Sequence, residues 1–437
     1  MHTDPSQRIV ITGLGVVTPL GNDIEPLLSG LREGRSGIRT LTRVPLGVLP
    51  VNHGAEAAEF TGHIDDYGPL EKTVKRNIRK GSKVMCREIE MGVAVAQRAM
   101  ADAGFTHDAF DRDRTGVVYG CDYIMSLPDE YAAGMQACLD EEGKFSFTRW
   151  GEQGLPKVNP LWLLKYLPNM PASHIAIYND LRGANNSITV REASAGNAIG
   201  EAYSTLRRGH ADALVVGSTG SRIHPLRTLH ASMQETLASD RDDCESMSRP
   251  FNRDRDGGVL GEGAGAMMLE TLAHAEKRGA KILGEVVGYG SSAVGPAAGD
   301  EYLKTAIVNV LRAALGTASP NEIGHINAHG LGTPQSDAGE AAAIAQVFGD
   351  ASSQPPVTTV KGHFGNLGAG GGMVEAIASL CSLGDELFPI RNLTDLDSNC
   401  PINAVTGSGT PSGDSFISVN VTPQGQASSV HIRRFAA

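Results

Sequence analysis

The order of apolar runs along the chain predicts buried strands separated by helices. Strands are expected at the start of Arg8–Gly21, at Thr115–Gly120 and at Ala211–Gly217, because each begins with a short run of β-branched and other apolar residues. Between the first two, apolar and small residues recur at helical spacing over Arg87–Ala103 and stop before a glycine. This alternation predicts an α/β fold.

One stretch, Ser187–Gly200, joins a β-rich run to a helix. After a turn of small residues, the segment Asn197–Tyr203 has helical period. A residue at such a junction lies beside the unpaired N–H groups and the positive end of the helix dipole. That is where a fold can stabilise the negative charge of a nucleophile. The junction here carries Glu192.

A second series of strands begins after residue 278. The segment Glu270–Arg278 is predicted to be a helix, and it leads to an apolar run at 280–289 that is similar to the first strand of the chain. A chain of 437 residues also exceeds a single typical core. We therefore expect a duplicated architecture, with an N-terminal half at 1–278 and a C-terminal half at 279–437.

Composition and charge narrow the class of protein. The hydrophobic share of 41% is typical of an ordinary α/β protein, and the net charge of −11 disfavours a nucleic-acid binder. No apolar run of about eighteen residues predicts a membrane span, and residues 1–7 lack the pattern of a signal segment. The six cysteines are scattered, as in reduced proteins. These features predict a cytoplasmic protein.

The sequence contains no strong cofactor or metal motif. Gly13-Leu-Gly15 is half of a dinucleotide-binding fingerprint, but Pro19 interrupts the helix that a pyrophosphate needs. The cysteines show no metal-ligand spacing. We expect neither a cofactor nor a metal.

Five stretches resemble signature segments of the β-ketoacyl-acyl-carrier-protein synthases, or ketosynthases. They are Arg8–Gly21, Ser187–Gly200, Ser248–Gly265, His325–Glu340 and Val357–Ile377. The resemblance extends from Arg8 to about Val430, and the third stretch is the longest distinctive one. It implies a thiolase-like αβαβα fold of five layers made of two duplicated halves.

The resemblance assigns the central residues of a site. In ketosynthases the strand-to-helix junction holds the nucleophilic cysteine, and this position is Glu192 here. His329 occupies the position of the first catalytic histidine and Lys361 that of the lysine. The second catalytic histidine should fall five residues after the lysine, where this chain has Asn366, and the nearby His363 is not its equivalent. Two of the family's catalytic groups are therefore replaced.

The resemblance also assigns supporting residues. Asp337 and Glu340 have the spacing of the family's structural carboxylates, and Glu340 is a plausible ion-pair partner for Lys361. Arg249 and Asp256 belong to the loop that ketosynthases place near the active site.

Two further segments have counterparts in the family. Ketosynthases carry a glycine- and phenylalanine-rich gate beside the cysteine, and here Thr422–Gly425 stands in its place. Pro423 fixes a φ angle that glycine would leave free, so we expect a stiffer loop. In the family, the region of Cys121–Cys138 lies near the dimer interface and the acyl pocket, although simple core packing explains its composition equally well.

The run Lys72–Lys80 is the most basic in an otherwise acidic chain. Such a run is usually a solvated face. However, an anionic partner would be steered to it, and ketosynthases use basic residues in this region to dock acyl carrier protein. The resemblance assigns this role to Lys75, Arg76, Arg79 and Lys80.

Ketosynthases perform a Claisen condensation, which needs a thiolate to carry the acyl group and donors that stabilise an enolate. This chain has neither the cysteine nor the second histidine nor the gate. It most resembles the chain-length factors, which lack the cysteine and pair with an active ketosynthase in bacterial polyketide or polyene synthesis. Those subunits usually carry glutamine where this chain has Glu192. The resulting hypothesis is a subunit that forms one wall of the acyl tunnel in a heterodimer.

Two alternatives remain open from the sequence. The chain is a malonyl-carrier decarboxylase if His329 and Asn366 bind the malonyl thioester carbonyl, but an ionised Glu192 would repel the malonyl carboxylate. The helix N-terminus, and also His329 or Lys361, are candidates to hold Glu192 in its ionised form. The second alternative is a homodimeric synthase of acyltransferase type that uses another nucleophile, for which the sequence offers no candidate.

Overall fold

Residues 7–436 are described by a computed structural model. Its strands are β1 Ile9–Val17, β2 Arg39–Thr40, β3 His53–Gly54, β4 Thr115–Cys121, β5 Asn185–Thr189, β6 Ala213–Ser221, β7 Glu262–Thr271, β8 Gly284–Ala293, β9 His325–Asn327, β10 Val357–Thr358, β11 Ser415–Val421 and β12 Gln426–Arg433. Its α-helices are α1 Ile24–Arg32, α2 Lys72–Gly81, α3 Arg87–Asp102, α4 Asp129–Ala137, α5 Met170–Asn179, α6 Ser194–Arg207, α7 Pro225–Gln234, α8 Leu272–Lys277, α9 Tyr302–Leu315, α10 Pro334–Phe348, α11 Lys361–Phe364 and α12 Gly371–Ser382.

Ten strands form one mixed sheet that is built from two groups of five. The first group has the order β1-β7-β6-β4-β5, and the second has the order β8-β12-β11-β9-β10. In each group two antiparallel pairings are followed by two parallel pairings. Ile9–Ile11 of β1 and Gly284–Val286 of β8 pair antiparallel and join the groups. The same pairing pattern occurs twice, as expected for duplicated halves.

Helices lie on both sides of each group of strands and complete five layers. Helix α3 packs against β1, β7 and β6, and α5 packs against β4. Helix α9 covers β8 and β12 and is itself covered by α10. Between the two groups, α6 contacts β4 and β6 on one side and β8 and β12 on the other, while α12 contacts β7 and β11. The central helices are buried because both of their faces meet a sheet.

Several predicted elements are confirmed, and one helix is shorter than predicted. The helix from Arg87 and the strand from Thr115 lie where the apolar patterns placed them. The predicted helix Glu270–Arg278 is wrong at its start, because Glu270 still pairs with Val10 in the sheet. Thr271 accepts a hydrogen bond from the backbone N–H of His274 (3.3 Å), so α8 begins only after this cap. None of the helices within residues 7–436 is long and apolar enough to cross a membrane.

Candidate active site

The predicted strand-to-helix junction is a tight turn, residues 190–194, which we call the elbow. Strand β5 ends at Thr189, Arg191–Ala193 form one 3-10 turn, and α6 begins at Ser194. Arg191 has a φ of +52°, a conformation that residues other than glycine rarely adopt. The Ser194 hydroxyl accepts a hydrogen bond from the Val190 N–H (2.9 Å) and donates one to the carbonyl of Cys121 (3.2 Å). The elbow is thereby fixed against the end of β4.

The Glu192 side chain points inward and is held by cationic and amide donors. Its Oε1 accepts hydrogen bonds from Arg222 Nη1 (3.0 Å), Asn366 Nδ2 (3.0 Å) and Arg191 Nη2 (3.4 Å). The guanidinium groups also bind Glu235, whose Oε1 lies 2.5 Å from Arg222 Nη2 and 2.6 Å from Arg191 Nη2. We call Arg191, Glu192, Arg222 and Glu235 the buried ion cluster.

The buried ion cluster keeps Glu192 ionised. Burial alone would raise the pKa of its carboxyl group, but Arg191, Arg222 and the Asn366 amide outweigh burial and lower it from the usual 4.5 to about 2. The partners expected from the sequence were the helix N-terminus, His329 or Lys361. The hydrogen-bonded partners are instead the two guanidinium groups and Asn366.

The two arginines and Glu235 were missed by the sequence reasoning. Arg222 directly follows a strand that is buried along its whole length. Because functional side chains often follow the carboxyl ends of strands, this position was a usable signal. The sequence offered no comparable signal for Glu235, which lies just after α7.

Asn366 reaches Glu192 from the opposite wall of the site. Its backbone N–H donates to the Val259 carbonyl (2.8 Å), and its side-chain oxygen accepts from the Gly368 N–H (2.9 Å). Gly365 before it has a φ of +66°, and a Cβ there would lie 2.4 Å from the Val259 carbonyl oxygen. The glycine therefore permits the turn that aims the amide at Glu192.

His329 lies in the same buried region but has a different environment. Neither ring nitrogen has a hydrogen-bond partner among residues 7–436. Burial lowers the pKa of the imidazole well below its usual 6.5, the positive charges of Lys361 and Arg222 lower it further, and Glu192 raises it. The ring is therefore neutral at physiological pH. One of its nitrogens can donate a hydrogen bond, and the other can accept one.

Glu340 supports His329 through the backbone. Its carboxylate accepts hydrogen bonds from the N–H groups of His329 (2.6 Å) and Gly330 (2.8 Å). The expected ion pair between Glu340 and Lys361 is wrong, because the Lys361 ammonium binds Glu375 of α12 instead. The other oxygen of Glu375 accepts from Asn420 Nδ2 (2.6 Å).

The structural residues assigned in and around the 248–265 loop divide into two groups. Asp337 accepts hydrogen bonds from the N–H groups of Phe251 (2.8 Å) and Gly332 (3.0 Å), so it ties this loop to the histidine segment. Arg249 binds Asp254 at the surface. The nearest basic group to Asp256 is Arg241, at 3.5 Å.

The arginine of this loop that reaches the interior was also missed. It is Arg255, which lies 3.4 Å from Asp337 and 2.6 Å from Asp397. The ion pairs of Arg249 and Asp256 are made with Asp254 and Arg241, and their place near the site stays a prediction.

The segment in the gate position is the hairpin turn between β11 and β12. The Thr422 N–H donates to the Gln426 carbonyl (2.8 Å), and the Thr422 carbonyl accepts from the Gly425 N–H (2.9 Å). Tyr302 donates to the Pro423 carbonyl (2.7 Å), and Arg191 Nη1 donates to Gln424 Oε1 (3.2 Å). These contacts anchor the turn on both sides.

A cavity of about 570 Å³ lies beside this turn and reaches the buried ion cluster. Arg222, Glu235 and Asn366 line its inner part, and Pro423 and Gln424 contribute from the turn. A small molecule entering the cavity would therefore meet charged and amide groups of the site.

The predicted docking residues lie together on α2. Arg76, Arg79 and Lys80 are exposed, and Lys75 forms an ion pair with Asp65 (2.8 Å). The helix therefore presents a basic surface, as the sequence predicted.

Comparison with known proteins agrees with the fold. Residues 6–275 match the N-terminal domain of β-ketoacyl synthases, and residues 280–393 match the C-terminal domain. A 3-oxoacyl-[acyl-carrier-protein] synthase 2 of Synechocystis sp. is 32% identical over 411 residues, which are 92% of this chain and 91% of the relative.

Two solved structures are similar over almost the whole chain. A β-ketoacyl synthase from Burkholderia phymatum has a TM-score of 0.84 at 26% identity, covering 98% of this chain and 100% of the other. The ishigamide ketosynthase/chain length factor has a TM-score of 0.80 at 26% identity, covering 98% and 99%.

The layered fold is that of the thiolase-like ketosynthases. The chain belongs to the β-ketoacyl synthase family, whose proteins act in fatty-acid and polyketide synthesis.

Proposed function

We propose that this chain is the non-condensing partner of an active ketosynthase and forms one wall of the tunnel that holds the growing acyl chain. The observation that carries the proposal is the ionised Glu192 at the elbow, bound by two arginines and Asn366. Such a carboxylate is a weak nucleophile, and a mixed anhydride formed on it would hydrolyse readily. One of the similar structures is named as a ketosynthase/chain length factor, which supports this role.

A partner surface is supported by two neighbouring features. Strand β5 pairs only with β4 and ends the sheet, so its other edge offers unpaired backbone groups. The segment before it exposes many large apolar side chains, which favour burial against another subunit. They are Tyr123, Leu127, Met135, Leu139, Phe145, Phe147, Leu155, Leu161, Leu163 and Leu164. Ser187 of β5 binds the Pro168 carbonyl, which places the strand beside the end of this segment.

Co-purification tests the partner. The chain is co-expressed with a cysteine-bearing ketosynthase of the same organism, and a stable heterodimer is expected. Phe147→Asp should weaken the complex at least tenfold, because Phe147 is 75% exposed in the apolar segment and its burial would be lost. Val48→Asp is the matched control, since Val48 is 74% exposed in a different loop and should leave the complex unchanged. If the chain forms a homodimer and does not bind the ketosynthase, the proposal is contradicted.

We further propose that α2 binds an acidic acyl carrier protein. Arg76 and Arg79 are exposed on this helix and are free to meet a negative partner. The double change Arg76→Glu, Arg79→Glu should lower carrier affinity about tenfold or more at low salt. Arg208→Glu is the control, because Arg208 is an exposed arginine at the end of α6. Equal affinities for both variants would remove the assignment.

The decarboxylase alternative is disfavoured by the same cluster. The malonyl carboxylate would have to approach Glu192, while the guanidinium groups that could balance its charge are already paired with Glu192 and Glu235. Carbon dioxide release from malonyl-carrier by the wild-type chain should therefore stay at background. Release by the wild type above background would favour the alternative, and Glu192→Gln measures how strongly the charge suppresses it.

A further inference from the structure

The donors around Glu192 have the arrangement of a carboxylate-binding site. A guanidinium N–H of Arg222, the amide of Asn366 and a guanidinium N–H of Arg191 converge on the same oxygen. Arginine is well suited to such a site because its planar group is always charged and forms charge-assisted hydrogen bonds. Here the carboxylate in the site belongs to the chain itself.

The charges of the buried ion cluster balance only when Glu192 is present. Two guanidinium groups face two carboxylates, and the side chains of Arg222 and Glu192 are only 4% and 3% exposed. Without the Glu192 carboxylate, Arg191 and Arg222 would share Glu235 alone. One excess positive charge would then be buried, which is strongly unfavourable unless an anion replaces the lost carboxylate.

The site is also open to a small molecule. Arg222 and Asn366 both line the cavity of about 570 Å³, so a ligand in the cavity can reach the two donors that lie 3.0 Å from Glu192. Glu192 Oε2 and both ring nitrogens of His329 have no hydrogen-bond partner within residues 7–436. Neither side chain lines the cavity, so the donors of the site that a ligand meets there are those of Arg222 and Asn366.

We infer that Arg222, Arg191 and Asn366 form a binding site for a small carboxylate and that the Glu192 side chain is its resident ligand. Glu192 is then a specificity-determining residue. Its carboxylate occupies the hydrogen-bond donors of Arg222, Arg191 and Asn366. It also neutralises the positive charge that would attract a free carboxylate or a malonyl group. The site is built from residues of this chain alone, so its ligand binding does not depend on whether a ketosynthase partner binds.

The test empties the site and offers acetate as a replacement. Glu192→Gly removes the resident carboxylate and leaves space, and its thermal stability is measured in acetate, in chloride at equal ionic strength and in neutral acetamide. Acetate is expected to stabilise the variant by an amount that rises with the logarithm of its concentration, about 1–2 °C at ten times the dissociation constant for a chain of this size. Acetamide and chloride should have little effect, and the wild type should not respond because its site is filled.

Two variants separate this site from general salt effects. In the double change Glu192→Gly, Arg222→Gln, one guanidinium faces one carboxylate, so the acetate response should disappear. Glu192→Gln removes the charge but keeps the volume, so acetate should be excluded by size. Equal stabilisation of Glu192→Gly by acetate and chloride, or an unchanged response in the double variant, would overturn the inference.

A refolding experiment covers the case in which Glu192→Gly does not stay folded in chloride. The denatured variant is diluted into acetate or chloride, and the folded fraction is measured by circular dichroism. Acetate should restore folding where chloride does not. Failure of acetate to do so would contradict the inference as directly as the absence of a thermal response.

Discussion

The site has two walls that are both largely buried and charged but differ in what their charges do. We call the side with His329, Glu340 and Lys361 the histidine wall, and the side with the buried ion cluster the elbow wall. On the histidine wall, Glu340 accepts hydrogen bonds from backbone N–H groups, and Lys361 binds Glu375. These side chains hold the backbone and α12 in place. On the elbow wall, the charges of Arg191, Arg222 and Glu235 surround Glu192, which the family resemblance assigns to the position of the nucleophile. The comparison teaches that buried charges on one wall can brace the fold while those on the other wall neutralise one buried carboxylate.

Loss of a charge on the histidine wall should strongly destabilise the fold. Lys361→Met leaves Glu375 buried without its counter-ion, and the free energy of unfolding should fall by about 3–5 kcal/mol. Urea denaturation measures this change. Lys304→Met is the control, because Lys304 pairs with the exposed Glu301. This variant should change the free energy of unfolding by no more than about 0.5 kcal/mol. A loss below about 1 kcal/mol for Lys361→Met would show that the pair does not hold this wall.

Acid should destabilise the elbow wall through Glu192. Its pKa is lowered to about 2, so the unfolded chain takes up a proton first as the pH falls. The stabilisation by the carboxylate is fully present above its usual pKa of 4.5 and declines below it. Between pH 6 and pH 3 the wild type should lose about 2 kcal/mol relative to Glu192→Gln. Parallel pH profiles of the two proteins would contradict the ionised state.

A rise in pH should destabilise the histidine wall through Glu340, whereas a fall in pH destabilises the elbow wall. Burial raises the pKa of Glu340 from 4.5 to about 7 despite hydrogen bonds from Gly330 and His329. The folded chain therefore binds the proton more tightly, and stability declines as the pH rises from about 5 to 8. Over this range the wild type should lose about 2 kcal/mol relative to Glu340→Gln, as measured by urea denaturation. A wild type that gains stability relative to the variant would reverse the assignment.

The smallest effect is expected at the hairpin turn between β11 and β12. Tyr302→Phe removes the hydrogen bond to the Pro423 carbonyl and should cost about 1 kcal/mol. Hydrogen exchange of Gly425, measured alongside, should become faster as the turn loosens. Tyr203→Phe is the control, because its hydroxyl binds only an exposed arginine. Unchanged exchange would mean that the turn does not depend on Tyr302.

The sequence predicted the elements and positions that depend on local pattern. The helix at Arg87, the strand at Thr115 and the junction before α6 follow from apolar spacing, which is set by the geometry of each element. The α/β class followed from the alternation of these elements. The five layers and His329 came from the family resemblance and not from periodicity.

The partners of the charged residues could not be predicted because they come from distant parts of the chain. Glu340 was chosen for Lys361 from the family pattern, whereas Glu375 wins because α12 packs between the sheets and brings it to the ammonium group. Arg222 meets Glu192 only through the parallel alignment of β5, β4 and β6. The docking role of α2, the boundary near 278 and the partner remain predictions.

The most direct test of the central claim is intact-mass spectrometry after incubation with an acyl-carrier thioester. The co-purified complex is loaded, and each subunit is weighed before and after treatment. The active ketosynthase should gain the mass of the acyl group, while this chain should keep its mass because Glu192 is an ionised member of a buried ion cluster. An acyl adduct on this chain, mapped to Glu192 or to any other side chain, would contradict the account.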